Sequence, residues 1–165
     1  MPNDVYHLQV KDVMHRDVVT IDADESVHTA LERLLENKVS ALPVVDQLGR
    51  CVGILSTSDF VAVARDLDED LAGATHESEA WWELFVNAIS EKMGHHSVTD
   101  VMTETVIAVA PETTLVQAAD DMLRERVHRM PVVDGQRRLV GIVSTTDVLR
   151  AFVKHAPAGT RAKHA

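Results

Sequence analysis

Two short polar segments of the same type stand out in this chain. Residues 56–59 read Ser-Thr-Ser-Asp, and residues 144–147 read Ser-Thr-Thr-Asp. An acid at the start of a helix can accept hydrogen bonds from both hydroxyls of a ribose, as it does in dinucleotide sites. Hydroxyls and free N–H groups at such a helix N-terminus suit a phosphate. The same pattern also resembles a helix-capping box, and both roles can hold together because the cap positions the site.

The two segments belong to a long internal repeat. Residues 42–59 read LPVVDQLGRCVGILSTSD, and residues 130–147 read MPVVDGQRRLVGIVSTTD. The offset of 88 residues (147 − 59) also aligns the sequence DVM at 12–14 with DVM at 100–102. Chance does not hold a register over so long a stretch, so the chain contains two copies of one unit.

Each copy carries the same order of predicted elements. Each element of the first copy has a counterpart in the second. β-Branched and apolar runs predict strands at 18–21 and 106–109, at 43–46 and 131–134, and at 51–55 and 139–143. Helices are predicted near 27–37 and 115–126, capped by Ser26 and Thr114, and a second pair begins near Thr57 and Thr145. Their apolar faces, at helical spacing, end with Leu35 and Leu123. Each copy is therefore βαββα, in the α/β class.

Between the copies lies an insert at about 62–96. It begins with a charged stretch at 65–70, which indicates a solvated surface. Trp81, Phe85, Ile89 and Met93 then step by four residues along one face of a helix predicted at about 78–93. This stripe has two interpretations: packing on the chain's own surface, or contact with a second copy or another protein, since Trp is favoured at interfaces.

Composition limits the possible functions. The chain has 165 residues and a net charge of −10, with 26 acidic against 16 basic residues, which disfavours non-specific nucleic-acid binding. No apolar run approaches the ~20 residues of a membrane span, and the start of the chain lacks a secretory signal. Cys51, the single cysteine, aligns with Leu139 and is predicted to be a core residue. We therefore expect a cytoplasmic protein with no nucleic-acid or membrane partner.

These residues resemble the CBS domain family, and two copies in tandem resemble a Bateman module. The most specific parts are the G-φ-φ-S-T-x-D segments at 53–59 and 141–147. Residues 128–134, HRMPVVD, are similar to a phosphate-contacting motif in the γ subunit of AMP-activated protein kinase. The resemblance implies a first repeat at 8–61, a helical insert at 62–96, a second repeat at 97–153 and a flexible tail at 154–165. It also implies a pseudo-twofold pair of repeats with two clefts.

The resemblance also implies the residues of each cleft. The stronger ligand site would contain Val106, Ile107, Ala108, His128, Arg129, Met130, Pro131, Ser144, Thr145, Thr146 and Asp147. The weaker site would contain Val18, Val19, Thr20, Ser56, Ser58 and Asp59. Arg suits phosphate because its planar donors engage two oxygens at once. Because Ser40-Ala41 stands where the second copy has His128-Arg129, the two clefts should differ in affinity.

The predicted function is a small-molecule sensor. An adenosine nucleotide such as AMP, ADP or ATP, or S-adenosylmethionine, would bind in a cleft between the repeats, and an effector protein would read the change in trans. The family also predicts a homodimer. The alternative is a ligand-independent interaction module that uses the aromatic insert helix. No G-x-S-x-G or Walker pattern occurs, and His95-His96 lacks a spaced ligand cluster, so we expect no enzyme activity, no catalytic residue, no metal and no cofactor.

Overall fold

The computed structural model describes residues 5–60 and 79–155. The predicted charged stretch at 65–70 and the tail from residue 156 lie outside the described residues. The described strands are β1 (Ile21–Asp22), β2 (Ala41–Val45), β3 (Cys51–Ser56), β4 (Arg129–Val133) and β5 (Leu139–Ser144). The described helices are α1 (Val27–Glu36), α2 (Glu79–Met93), α3 (Val98–Val101), α4 (Leu115–Glu125) and α5 (Thr145–His155), with 3-10 turns at Val5–His7, Val10–Asp12 and Thr57–Phe60. None of these helices has the length and apolar character to cross a membrane.

The chain forms two compact units that do not coincide with the two sequence copies. We name them the Asp147 unit, which is Met1–Val18 with Ile107–Ala165, and the Asp59 unit, which is Val19–Val106. The leading segment of the first copy therefore belongs to the Asp147 unit, and the leading segment of the second copy belongs to the Asp59 unit. Each unit is completed by the leading segment of the other copy.

The helices α1 and α4 begin where their caps were predicted. The Ser26 hydroxyl accepts a hydrogen bond from the Thr29 N–H at 3.2 Å, and the Thr114 hydroxyl accepts one from the Gln117 N–H at 3.3 Å. These bonds satisfy N–H groups that have no partner inside the helix. The predicted apolar faces were too wide, because Leu35 is 39% exposed and Leu123 is 80% exposed.

In each unit, the leading segment that comes from the other copy pairs with one edge of a β-hairpin. We call it the exchanged leading segment. In the Asp147 unit, β4 and β5 are antiparallel, and His15 and Ile142 exchange two backbone hydrogen bonds of 2.9 Å. In the Asp59 unit, β2 and β3 are antiparallel, and Ile54 and Thr103 exchange backbone bonds of 3.0 and 2.9 Å. Positions 15 and 103 differ by the repeat offset, so the exchange follows the same geometry twice.

The other edge of each hairpin carries the chain that precedes α1 or α4. In the Asp59 unit the strand predicted at 18–21 is only two residues long, and β1 runs parallel to β2. In the Asp147 unit the corresponding pairing is a single parallel bridge between Val109 and Val132. The predicted α/β class and βαββα order are confirmed, with shorter first strands than the β-branched runs indicated.

The two units have separate hydrophobic cores. The core of the Asp147 unit contains Val10, Met14, Leu115, Met130 and Val143 among its buried residues. The core of the Asp59 unit is built around Leu31, Leu42, Leu55, Phe60, Phe85 and Ile89. Phe85 and Ile89 are 2% and 0% exposed, so the structure favours internal packing for the stripe on α2. Cys51 is 2% exposed, which confirms its prediction as a core residue.

A glycine allows the leading segment to approach the hairpin in each unit. A Cβ atom on Gly141 would lie 2.7 Å from the Met14 sulfur and 2.9 Å from the His15 carbonyl oxygen. A Cβ atom on Gly53 would likewise collide with the Met102 side chain. The close approach places Met14 in the core and lets His15 pair with β5.

We predict that Gly141→Ala lowers the free energy of unfolding by about 1–3 kcal/mol, the usual cost of overpacking a filled site. Backbone and sulfur must both move to admit the methyl group. Chemical denaturation measures the loss. Gly135→Ala is the matched control, because a Cβ there would meet nothing within 4 Å. Equal stability of the two variants would contradict the close approach.

Candidate ligand-binding site

The candidate site of the Asp147 unit is built on the junction between β5 and α5. β5 ends at Ser144, and α5 begins at the next residue. The Ser144 N–H and hydroxyl donate to Asp147 Oδ2 at 2.9 and 2.6 Å, and the Asp147 N–H donates to the Ser144 hydroxyl oxygen at 3.3 Å. This reciprocal arrangement is a capping box. The predicted capping role of the Ser-Thr-x-Asp segment is therefore confirmed here.

The second carboxylate oxygen of Asp147 has partners from two other side chains. His15 Nε2 lies 2.9 Å from Oδ1, and the Arg150 guanidinium lies 3.3 Å from it. Asp147 is only 5% exposed, whereas the side chains of His15 and Arg150 are 61% and 68% exposed. The carboxylate is thus covered by two side chains that themselves reach solvent.

These contacts set the protonation of Asp147. Burial alone raises the pKa of the carboxyl, but the hydrogen bonds from Ser144 and the contact with His15 act the other way, and the pKa lies below its ordinary value. Hydrogen bonds that stabilise the charged form lower a carboxyl pKa. Asp147 is therefore an anion at neutral pH, which is the form that accepts hydrogen bonds from hydroxyl groups.

The predicted phosphate residues lie at the same junction. Arg129 begins β4 and pairs across the hairpin with Ser144, and the Thr145 N–H and hydroxyl both donate to the His128 carbonyl oxygen, at 2.9 and 3.2 Å. Among the described residues, neither the His128 nor the Arg129 side chain has a hydrogen bond or ion pair. Two basic side chains are therefore available beside the N-terminus of α5.

The remaining predicted residues of this site lie in different surroundings. Ile107 and Ala108 precede Val109, whose parallel pairing with Val132 places them along the first half of β4. Thr146 is exposed on the first turn of α5. Met130 and Pro131 are buried, and the Met130 side chain belongs to the core. Val106 is assigned to the Asp59 unit.

The Asp59 unit repeats the junction with fewer charges. The Ser56 N–H and hydroxyl donate to Asp59 Oδ2 at 2.6 and 2.9 Å. The Thr103 hydroxyl donates to Oδ1 at 3.2 Å. Ala41 stands opposite Ser56 in the hairpin, in the place of Arg129. This junction therefore keeps the carboxylate but lacks the basic pair.

Other residues predicted for the weaker site are divided between the units. The hydroxyls of Ser56 and Ser58 lie 2.6 Å apart, so they share the junction with Asp59. Val19 packs against the Asp59-unit core, and the Thr20 carbonyl oxygen accepts a hydrogen bond from Arg33 at 2.8 Å. Val18, in contrast, is assigned to the Asp147 unit.

Three residues that contact these carboxylates were not predicted from the sequence. They are His15 and Arg150 at Asp147 and Thr103 at Asp59. Arg150 could have been found, since it stands one helical turn after Asp147. His15 and Thr103 could not, because the repeat alignment assigns each of them to the other copy.

Elsewhere in the described residues, two features bear on other kinds of site. No group of three or more His, Cys, Asp or Glu side chains there could hold a metal ion. A depression of about 980 Å³ in the Asp59 unit is lined by Asp22, Asp24, Glu25, Asp46 and Arg50, among others. It lies at the Val45 end of β2, whereas the Asp59 junction lies at the Ala41 end. We give the junctions more weight, because the cation in this depression, Arg50, is already paired with Asp46 at 2.7 Å.

A family model with the description CBS domain matches the chain twice, at residues 10–66 and 98–154. The chain belongs to the CBS domain family. Both matches include a Ser-Thr-x-Asp junction and the leading segment that the structure exchanges between the units.

Similar solved structures include CBS domain pairs. The uncharacterized protein MJ1426 of Methanocaldococcus jannaschii is 31% identical over 158 residues, which cover 87% of this chain and 90% of that protein. The structure of CBSX2 in complex with AMP is 32% identical, with a TM-score of 0.67, and covers 88% of this chain and 96% of that one. The CBS domain pair of MJ0100, in complex with 5′-methylthioadenosine and S-adenosyl-L-methionine, is 26% identical, with a TM-score of 0.65, covering 89% and 97%.

We predict that Asp147→Asn lowers the free energy of unfolding by about 1–3 kcal/mol at pH 7, the cost of leaving buried donors unsatisfied. Asparagine is itself a good cap, and the sequence alone predicts little loss. Both oxygens of Asp147 accept hydrogen bonds, however, so an amide nitrogen at either position faces a donor. Asp120→Asn is the control, because the Asp120 side chain is 69% exposed.

The stability difference between the wild type and Asp147→Asn should depend on pH. Because the pKa of Asp147 is lowered by folding, its contribution is complete above the unfolded carboxyl pKa of about 3.9 and is lost as pH falls through the folded value. The stability difference between the wild type and Asp147→Asn should therefore shrink below about pH 4. Denaturation curves at several pH values measure it, and a difference that grows on acidification would contradict the assignment.

Proposed function

We propose that this chain is a regulatory module that binds an adenosine nucleotide at the β5–α5 junction of the Asp147 unit. Asp147 would accept hydrogen bonds from the ribose, and His128 and Arg129 would contact phosphate. The exposed Thr146 hydroxyl would assist, and the adenine would lie against the backbone near Ile107 and Ala108. Binding would alter the population of two states only through a difference in affinity between them.

The observation that carries this proposal is the position of Arg129. Its side chain has no ion pair among the described residues, and it lies opposite Ser144 in a chain whose net charge is −10. An unpaired Arg beside a helix N-terminus offers planar donors and a positive dipole to one anion. A phosphate group can accept hydrogen bonds from the Arg donors and carries the negative charge that the helix N-terminus favours.

The relatives support the adenosine part of the ligand. One similar CBS pair was solved with AMP, and another with 5′-methylthioadenosine and S-adenosyl-L-methionine. The shared part of these ligands is the adenosine group. A phosphate-bearing member of this class fits the His128-Arg129 pair better than a sulfonium compound, because a sulfonium group is positively charged.

The output of this module would be read by a separate effector protein, and a homodimer remains a prediction of the family resemblance. We propose that both junctions bind a ligand and do not catalyse a reaction. We also propose that the protein acts in the cytoplasm. The alternative of an interaction module based on α2 is not favoured. Its apolar stripe contributes Phe85 and Ile89 to the core of the Asp59 unit and so leaves little of that stripe for a partner.

We predict that Arg129→Ala weakens AMP binding about 10- to 100-fold, which corresponds to losing charged hydrogen bonds of about 1.5–3 kcal/mol. Adenosine, which has no phosphate, should bind the variant as it binds the wild type. Calorimetric titration measures both affinities. Arg138→Ala is the matched control, since Arg138 lies at the turn of the same hairpin and pairs with Asp134 at 2.8 Å. Unchanged AMP affinity in Arg129→Ala would overturn the phosphate assignment.

We predict one strong nucleotide site per chain, with the second at least about tenfold weaker. The reason is that Ser40 and Ala41 take the positions of the basic pair, and a tenfold difference needs only about 1.4 kcal/mol. Titration with AMP gives the stoichiometry directly. Two equal sites would contradict the difference between the junctions.

A further inference from the structure

The two junctions differ at the residue that the exchanged leading segment brings to the carboxylate. In the Asp147 unit this residue is His15, 2.9 Å from Oδ1. In the Asp59 unit it is Thr103, 3.2 Å from Oδ1 of Asp59. The two positions are equivalent, since they are separated by the repeat offset of 88 residues (103 − 15). A base that can carry a positive charge therefore replaces a neutral hydroxyl at the same place.

His15 occupies the part of Asp147 that a ribose would need. Oδ2 is already bound to the N–H and hydroxyl of Ser144, and those bonds hold the start of α5. Ribose hydroxyls must therefore reach Oδ1, where His15 and Arg150 are bonded. With Asp147 only 5% exposed, a ligand gains this oxygen only when the imidazole leaves it.

We propose that His15 sets the affinity of the Asp147 site, because it competes with ribose for the carboxylate and so weakens every adenosine ligand by the same factor. This inference rests on the proposed function. A nucleoside must break the His15–Asp147 bond and gains only its ribose contacts in return. A nucleotide breaks the same bond but also gains contacts with His128 and Arg129, which offset the loss.

The test is calorimetric titration of the full chain with adenosine and with AMP, using the wild type and His15→Ala, which removes the imidazole and leaves no donor in its place. We expect His15→Ala to bind adenosine and AMP each about fivefold more tightly, the equivalent of one hydrogen bond of about 1 kcal/mol. His28→Ala, the same substitution at an exposed residue of the Asp59 unit, should match the wild type.

The outcomes separate this inference from the proposed function. If AMP binds but His15→Ala leaves both affinities unchanged, or weakens them, His15 is not a competitor. If neither ligand binds either protein, the proposed function fails and the inference fails with it. Should His15→Ala not fold, NMR of the wild type with labelled histidines replaces it. AMP should then shift the ring signals of His15 and leave those of His28 in place, and unmoved His15 signals would overturn the proposal.

Discussion

The backbone pairing of each leading segment with the edge of a hairpin is the contact on which the two units depend. In the Asp147 unit, two hydrogen bonds between His15 and Ile142 fix the segment against β5, and Gly141 admits Met14 beneath it. The same pairing joins Thr103 to Ile54 in the Asp59 unit. Without it, the Asp147 unit would lose buried Val10 and Met14 from its core, the Asp59 unit would lose buried Val98 and half-buried Met102, and each carboxylate would lose a partner.

A second constraint is that one carboxylate serves both stability and the proposed binding. Asp147 uses Oδ2 to close the capping box at the start of α5, and only Oδ1 faces groups that can exchange. Structure and ligand binding therefore use different oxygens of the same side chain. This division explains how a capping residue can also take part in a site, and why its replacement affects stability first.

Much of the fold could be predicted because its signals are local. The caps of α1 and α4 act over three residues, from Ser26 to Thr29 and from Thr114 to Gln117, so the helix starts were correct. The hairpins follow from paired β-branched runs with a short turn between them. The predictions were less accurate where neighbours decide the outcome. Leu123 fits an apolar stripe by spacing, but whether it is covered depends on what lies beside α4.

The sequence by itself determined the repeat, the α/β class, the Ser-Thr-x-Asp junctions and the absence of a basic pair at Ser40-Ala41, because each is visible in residue types a few positions apart. Only the tertiary structure decided which leading segment completes which unit. Both copies carry the DVM sequence and a glycine on the partner strand, so either pairing satisfies the local pattern. His15 and Asp147 are 132 residues apart, and their contact follows from the hydrogen bonds of His15 with Ile142, which no spacing in the sequence specifies.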